Sequence, residues 1–214
     1  MPLLYDGEVK IHKVPHMSPM DNNGYIISCP ETGECVIIDT PGESEKLLSE
    51  IGDAKVKAVL ITHGHGDHIA DFRKVKNALQ KDMAIHQEDA GNLSPAEPDF
   101  FLKDGDEIKI GTVTLKLMHT PGHTPGATCI LTGKHLFSGD TLFPGGPGRT
   151  RSPEAFKQVV ESITSRLLTL PDDTNVYPGH GDDTTIGKAK EEYAIFAANS
   201  HPEDLHGEVA WLTG

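Results

Sequence analysis

Four side chains that can bind a metal ion fall within six residues of the chain. The segment 62–68 reads Thr-His-Gly-His-Gly-Asp-His, and the four candidates are His63, His65, Asp67 and His68. The intervening glycines allow a tight backbone turn, and side chains two apart in an extended segment face the same way. His63 and His65 can therefore reach one metal ion, while Asp67 and His68 reach a neighbouring one. Because histidine is the commonest protein metal ligand, this density predicts a metal site rather than a polar loop.

Three later turns each add one candidate ligand next to a glycine. They are His123 in Thr-Pro-Gly-His-Thr-Pro-Gly, Asp140 in Ser-Gly-Asp-Thr-Leu-Phe, and His180 in Tyr-Pro-Gly-His-Gly-Asp. Each turn follows a strand-like run, and loops after strands are where a rigid scaffold presents its reactive groups. The sequence thus predicts one metal centre assembled from distant parts of the chain.

The segments between these turns have the patterns of strands and helices. Short runs rich in Ile and Val, bounded by Pro, Gly and Asn, predict strands, and one of them (56–62) leads directly into the histidine loop. Apolar residues at helical spacing predict helices over 43–51, 69–79, 152–168 and 185–198. This alternation favours an α/β fold of two mixed sheets packed face to face with helices outside.

The chain of 214 residues is expected to form a single domain, 1–214, of which 201–214 is a C-terminal tail. A net charge of -13 argues against nucleic acid as a partner and favours a small-molecule substrate. No run of about 18 apolar residues is present, so a membrane span is not expected. The oligomeric state is not readable from these patterns.

The cysteines Cys29, Cys35 and Cys129 are too few for a disulfide framework. Cys29 and Cys35 flank a turn and could approach each other, but free thiols are the expectation. This usage, with an N-terminus unlike a signal peptide, favours a cytoplasmic location.

The four motifs, in this order along the chain, resemble the metallo-β-lactamase superfamily, and within it the glyoxalase II-like hydrolases. They are HxHxDH, PGHTPG, SGDTLF and PGHG, and the resemblance covers roughly residues 23–187. It implies an αββα sandwich, with two mixed sheets flanked by helices and the metals at one edge.

The resemblance also implies a role for each ligand. His63, His65 and His123 would hold the first metal, Asp67, His68 and His180 the second, and Asp140 would bridge the two. Asp39, in Ile-Asp-Thr-Pro-Gly, matches an early aspartate that shapes the histidine loop without binding metal. His119 does not follow Pro-Gly and is not expected to be a ligand. His12, His16, His86, His135, His201 and His206 are expected to be solvated or core residues.

Such a donor set favours two zinc ions, with iron or manganese as alternatives. Two metals about 3.5–4 Å apart can hold a bridging hydroxide at neutral pH, which attacks a carbonyl carbon. Asp67 and Asp140 would then be catalytic carboxylates. The expected reaction is hydrolysis of a thioester such as an S-(2-hydroxyacyl) thiol. Arg149, in the glycine-rich loop after Asp140, is expected to grip a substrate carboxylate, as a basic residue does in similar loops of the glyoxalase II-like enzymes.

Three alternatives remain open from the sequence. A lactone or a β-lactam could be opened by the same hydroxide attack. A persulfide dioxygenase with one iron would share the Gly-Arg-Thr run at 148–150, but the expected Asp-Phe after it is replaced by Arg151 and Ser152. A non-catalytic metal-binding module is disfavoured because all seven ligands are present.

Overall fold

The computed structural model describes residues 3–212, so residues 1, 2, 213 and 214 of the expected domain and tail lie outside the described residues. Two large β-sheets pack face to face in the described part. The first has seven strands, in the spatial order in which they occur along the chain: β1 (Leu3–Asp6), β2 (Lys10–Met17), β3 (Asn22–Ser28), β4 (Glu34–Ile38), β5 (Lys55–Leu60), β6 (Asp82–His86) and β7 (Phe100–Leu102).

The second sheet has six strands, which lie in the order β15-β14-β11-β10-β9-β8. A small two-stranded ribbon, β12 with β13, follows the end of β11 along the chain. The bounds are β8 (Glu107–Ile110), β9 (Val113–His119), β10 (Thr128–Thr132), β11 (His135–Gly139), β12 (Leu142–Phe143), β13 (Gly146–Pro147), β14 (Asn175–Pro178) and β15 (Thr184–Thr185).

Both large sheets are mixed, as predicted. Strands β1 to β4 pair antiparallel and β4 to β7 pair parallel. In the second sheet, β11 and β14 are parallel and the other neighbours antiparallel.

Side-chain alternation along the strands produces a layered core. On β3, Tyr25 and Ile27 point into the apolar layer between the sheets, while Ile26 points into the layer under the first pair of helices. Successive strand residues face opposite sides of a sheet, so a strand that is covered on both faces is apolar throughout. A third apolar layer lies between the second sheet and the later helices. The predicted αββα sandwich is confirmed.

Four α-helices cover the outer faces: α1 (Glu45–Glu50), α2 (Phe72–Leu79), α3 (Pro153–Ser162) and α4 (Ile186–Ala197). Two of the predicted helices needed correction. The helix expected from residue 69 begins at Phe72, because residues before it form turns that shape the histidine loop. The helix expected over 152–168 is α-helical only as far as Ser162 and continues as a π-helix over Ile163–Leu167. No helix among the described residues has the length and apolar character needed to cross a bilayer.

The histidine-bearing loops gather at one edge of the sandwich. The loops that carry Asp39 and His63 follow the parallel strands β4 and β5, and those that carry Asp140 and His180 follow the parallel strands β11 and β14. Parallel neighbours end at the same edge, so each pair of loops is adjacent. The two sheets are joined at this edge by backbone hydrogen bonds, including one from the amide of Asn23 to the carbonyl of Gly179 (2.7 Å).

The C-terminal tail packs against the loop that joins β12 to β13. Its Trp211 is 1% exposed and packs in the third apolar layer, whereas Leu212 is 53% exposed. The amide of Trp211 donates to the carbonyl of Gly145 (2.7 Å), and Gly207 exchanges backbone hydrogen bonds with Thr150 (3.0 and 3.2 Å). The tail thereby fixes the loop that follows Asp140.

Candidate metal centre

Three imidazole nitrogens converge to form a first group of potential ligands. Nε2 of His63 lies 3.1 Å from Nδ1 of His65 and 3.3 Å from Nε2 of His123. His63 is fully buried and His123 is 8% exposed, so His65 is the member that faces solvent. These three atoms are placed to bind one metal ion.

A second group forms beside it from Asp67, His68 and His180. Nε2 of His68 and Nε2 of His180 are 3.1 Å apart, and Oδ2 of Asp67 lies 3.1 Å from the His180 nitrogen. The segment 62–68 therefore serves both groups, as its alternating spacing predicted. His180 is brought in by its own turn, whose backbone bridges to Asn22 at the start of β3.

The Asp140 carboxylate lies between the two groups. Its Oδ2 is 3.6 Å from Nε2 of His123 and 3.4 Å from Nε2 of His180, while its Oδ1 is 3.4 Å from Nε2 of His68. Oδ1 is also buried without a hydrogen-bond partner. An orphaned, buried carboxylate oxygen costs free energy unless something neutralises it. A cation on each side of Asp140 fits this arrangement, and the all-nitrogen and oxygen donor set suits zinc, iron or manganese.

The two groups differ in their electrostatics. Burial, reinforced by neighbouring histidines, lowers the pKa of His63, and burial lowers the pKa of His65 to about 4. In the second group, burial alone would lower the pKa of His68, but the charges of Asp140 and Asp39 raise it well above its usual value. Hydrogen bonds to Asp140 and Asp67 likewise outweigh burial and raise the pKa of His180 to about 10. The first group is thus neutral at pH 7, whereas the second holds protons that a metal ion must displace.

The outer ring nitrogens of the histidines are held by other groups. Nδ1 of His68 contacts Asp39 (2.9 Å), which also accepts a hydrogen bond from the amide of Thr62 (2.7 Å). Nδ1 of His123 donates to the carbonyl of Arg149, and Nδ1 of His180 to the carbonyl of Met20, each at 2.8 Å. Such partners fix the ring orientation and leave the inner nitrogen free to bind metal.

Asp89 is a positioning residue that the sequence did not reveal. It is 1% exposed, and its carboxylate accepts hydrogen bonds from the amide of Gly64 (2.8 Å), the hydroxyl of Thr124 (2.6 Å) and the amide of Gly126 (2.8 Å). It therefore ties the His63 loop to the His123 turn. In the sequence it stands among ordinary acidic residues (Gln-Glu-Asp), and only the proximity of β6 to these loops gives it a role.

Two glycines of the predicted turns are required by close approach. A Cβ on Gly179 would lie 2.3 Å from Oδ1 of Asp140 and 2.5 Å from Cε1 of His68. A Cβ on Gly148 would lie 2.0 Å from the carbonyl oxygen of Asp140. No side chain fits either gap, so these glycines allow the ligand loops to pack against one another.

The metal centre opens into a cleft of about 1060 Å³. Its walls are Met20, the loop from Phe143 to Arg151, the tail from His206 to Ala210 and five of the candidate ligands: His65, Asp67, His123, Asp140 and His180. Arg149 and Arg151 both line it. A smaller cleft of about 670 Å³ lies on the other side of His65 and shares His65, His123 and Arg151 with the first.

The expectations for the remaining histidines and the cysteines had different outcomes. His86, expected to be a solvated or core residue, stacks on His119 with ring centroids 4.0 Å apart, and these two with Glu88 form a further group that could hold an ion. Both rings already make backbone contacts: Nδ1 of His86 accepts from the Glu88 amide, and Nε2 of His119 donates to the carbonyl of Pro125. The three cysteines are free thiols, and all three are buried.

The chain belongs to the metallo-β-lactamase superfamily, and it is a metallo-hydrolase. Residues 18–180 match the family described as "Metallo-beta-lactamase superfamily". This range contains all seven converging side chains. The prediction from the four motifs is therefore confirmed at the level of the family, and the reading as a non-catalytic module is set aside.

Relatives with curated names include two hydroxyacylglutathione hydrolases. The one from Polaromonas sp. strain JS666 is 39% identical over 165 residues, which are 74% of this chain and 62% of that protein. "Hydroxyacylglutathione hydrolase GloC" from Haemophilus influenzae is 35% identical over 186 residues, which are 77% of this chain and 88% of that protein. The chain therefore spans less than two thirds of the first of these relatives and most of the second.

Similar solved structures include a β-lactamase and a di-iron protein. The BLEG-1 B3 metallo-beta-lactamase has a TM-score of 0.77 at 29% identity and covers 85% of this chain and 96% of its own. The protein TTHA1623, in a di-iron-bound form, has a TM-score of 0.69 at 30% identity and covers 84% of this chain and 96% of its own.

Proposed function

We propose that this protein hydrolyses thioesters, such as S-(2-hydroxyacyl) thiols, with two divalent metal ions. The observation that carries the proposal is the position of Asp140 between two complete groups of ligands, with one buried oxygen that accepts no hydrogen bond although Nε2 of His68 lies 3.4 Å away. The similarity to two hydroxyacylglutathione hydrolases supports the choice of thioester. Three buried, unpaired thiols support a cytoplasmic location within the same proposal.

The candidate ligands divide between two metal sites according to the distances between their donor atoms. His63, His65 and His123 would hold the first metal, Asp67, His68 and His180 the second, and Asp140 would contact both. Zinc is favoured, with iron or manganese as alternatives. When bound, such a pair supplies hydroxide at neutral pH and polarises a carbonyl oxygen.

The carboxylates of Asp67 and Asp140 would position the attacking water by hydrogen bonding. Both line the cleft, so an attacking water would lie within their reach. Oδ2 of Asp67 accepts a hydrogen bond from the side-chain amide of Asn22 (2.8 Å) and lies 3.1 Å from His180. Although burial raises the pKa of Asp67, the hydrogen bond from His180 and the charge of His68 lower it below its usual value. The Asp67 carboxylate therefore stays ionised, and it would orient the attacking water by accepting a hydrogen bond from it.

A protein nucleophile is not needed for this reaction. The cysteines in the described residues are buried, and burial raises the pKa of Cys129 to about 11. A thiol such as that of Cys129 stays protonated and is a poor nucleophile. Hydrogen bonds from Thr112 and Thr32 lower the pKa of Cys29 to about 6, but Cys29 lines neither of the clefts at the metal centre.

Arg149 would orient the substrate by binding its carboxylate. The residue is exposed in the wall of the cleft, and its backbone is fixed because its carbonyl accepts the hydrogen bond from His123. A guanidinium on a fixed backbone is suited to bidentate carboxylate binding.

Hydrolysis of a lactone or β-lactam is the second candidate, favoured by the similarity to a B3 metallo-beta-lactamase. The two can be separated by following S-lactoylglutathione, nitrocefin and an acyl-homoserine lactone side by side, with the metal content measured on the same protein. We expect about two metal ions per chain and the highest kcat/KM for the thioester. A single iron with no thioester turnover would overturn the proposal.

His65→Ala tests the metal centre directly. We expect it to lose the first metal and all turnover, because it removes one of the three imidazole ligands and leaves only two histidines and the shared Asp140 to hold that metal. His16→Ala is the control, since the His16 side chain is 81% exposed and lies outside both groups. Normal turnover in His65→Ala would contradict the assigned role of the loop.

A further inference from the structure

Arg151 and His65 face each other at the boundary between the two clefts. Nη2 of Arg151 lies 3.4 Å from Nε2 of His65, and both residues line both clefts. Arg151 is exposed, and it forms none of the ion pairs with carboxylates found within residues 3–212. Its guanidinium is thus a free positive charge beside the metal centre of an acidic protein.

The two ring nitrogens of His65 have different tasks. Nδ1 is the atom that converges with the nitrogens of His63 and His123, so it is the nitrogen that would bind the first metal. A neutral imidazole has one N–H donor and one acceptor nitrogen. Once Nδ1 uses its lone pair for a metal, Nε2 carries the hydrogen and becomes a donor.

With a metal in place, two donors therefore meet. A guanidinium has only donors, so Arg151 cannot form a hydrogen bond with a protonated Nε2 of His65. Both groups then point N–H bonds into the same solvent-accessible space, where an anion can replace the water that accepts them. A carboxylate, which only accepts and can bind two donors at once, satisfies both.

We propose that Arg151 and Nε2–H of His65 form a binding site for a carboxylate of the substrate. The inference rests on the proposed function and narrows it to thioesters that carry a negative charge. Arg149 lies two residues away on the same loop and lines the larger cleft, so a second positive charge reinforces the preference.

The geometry also couples this anion site to the metal. In the metal-free protein, Nε2 of His65 can accept a hydrogen bond from Nη2 of Arg151, which uses one of the five donors of the guanidinium. Metal binding removes that acceptor, frees this donor for the anion and adds the N–H of His65 beside it. By thermodynamic linkage, a carboxylate should also strengthen metal binding.

The direct test uses succinate as the probe, titrated by calorimetry into metal-free and zinc-loaded protein. Wild type is compared with Arg151→Gln and with Arg73→Gln, which removes another exposed arginine, on α2 and outside both clefts. We expect Arg151→Gln to weaken succinate binding about tenfold in the zinc-loaded protein, since hydrogen bonds to charged groups are of this strength. In the metal-free protein the loss should be much smaller. Direct binding of succinate to zinc is common to all variants and cancels in the comparison.

A second arm measures kcat/KM for S-succinyl-N-acetylcysteamine and its neutral counterpart S-butanoyl-N-acetylcysteamine. Arg151→Gln should reduce the preference for the anionic ester about tenfold, mainly through KM, and Arg151→Lys should restore only part of it. Equal succinate affinity in zinc-loaded wild type and Arg151→Gln would overturn the anion site. If wild type hydrolyses neither of these esters nor S-lactoylglutathione but the succinate difference persists, the proposed function fails and the anion site stands.

Discussion

The Asp39 carboxylate lies 2.9 Å from Nδ1 of His68 and also accepts hydrogen bonds from the amide and hydroxyl of Thr62. Asp39 stands directly after β4, in the left-handed region with φ of 62°, and is 1% exposed. One carboxylate therefore fixes both the start of the histidine loop and the ring that ends it. The inner nitrogen of His68 is left as an acceptor for a metal ion.

Removal of this charge should weaken the second metal group. We expect Asp39→Asn to lower second-site affinity about 10- to 100-fold, because partners of this kind orient and polarise a metal-binding imidazole. Competition with a chelator of known affinity measures the change. Asp99→Asn is the control, since Asp99 accepts a backbone amide and pairs with Lys76 far from the loops. Unchanged affinity in Asp39→Asn would contradict the role given to this carboxylate.

Substitution by alanine should distinguish a glycine that close packing at the metal centre requires from one that has open space around it. Gly179→Ala places a Cβ 2.3 Å from Asp140 and should abolish second-site metal binding. Gly66→Ala, within the histidine loop, meets no atom within 4 Å and should retain both metals. Metal content after gel filtration distinguishes them. Two bound metals in Gly179→Ala would show that the Asp140 loop can move aside without loss of the site.

The buried carboxylate of Asp89 should contribute to stability even without metal. Asp89→Ala leaves the amides of Gly64 and Gly126 buried without acceptors, and each such loss costs about 1–3 kcal/mol. We expect the free energy of unfolding of metal-free protein to fall by at least about 2 kcal/mol in urea. Asp82→Ala, which replaces an exposed aspartate at the start of β6, should have little effect. Equal midpoints for the two variants would exclude a structural contribution from Asp89.

Metal loading should depend on pH at one group and not at the other. Because hydrogen bonds to Asp140 and Asp67 outweigh burial and raise the pKa of His180 to about 10 in the metal-free protein, a metal must displace its proton at pH 7. Affinity of the second group should therefore rise with pH up to about that value. The pKa of His65 is lowered to about 4, so affinity of the first group should be flat between pH 6 and 8.

Calorimetry in buffers of different ionisation enthalpy can count the released protons. The second metal should release up to two protons, one each from His68 and His180, and the first should release almost none. Equal release at both steps would contradict the electrostatic difference between the groups.

Much of the site was predictable because its ligands are local in sequence or flanked by glycine. His63 and His65 lie two apart and face the same way in an extended segment, whereas the adjacent Asp67 and His68 follow them and reach a neighbouring point. His123, Asp140 and His180 carried the signal of a strand followed by a tight turn. The sandwich followed from the alternation of strand and helix patterns and from the family resemblance.

Other features depend on tertiary proximity, which no local pattern records. Asp89 gains its role only because β6 ends beside two ligand loops, and the partner of Arg151 is a ring nitrogen 86 residues away. The start of α2 at Phe72 was misjudged because turns around His65 and Ile69 compete with the helix. The stacking of His86 on His119 likewise joins separate strands.

The docked tail has a spectroscopic consequence. Trp211 is the single tryptophan of the chain, and it is buried behind the loop and tail that wall the larger cleft. Its intrinsic fluorescence is therefore a built-in reporter for that wall, with no label required. A shift of the emission to longer wavelength would signal that the tail had lifted from Gly145, and the same signal would follow ligands that bind against it.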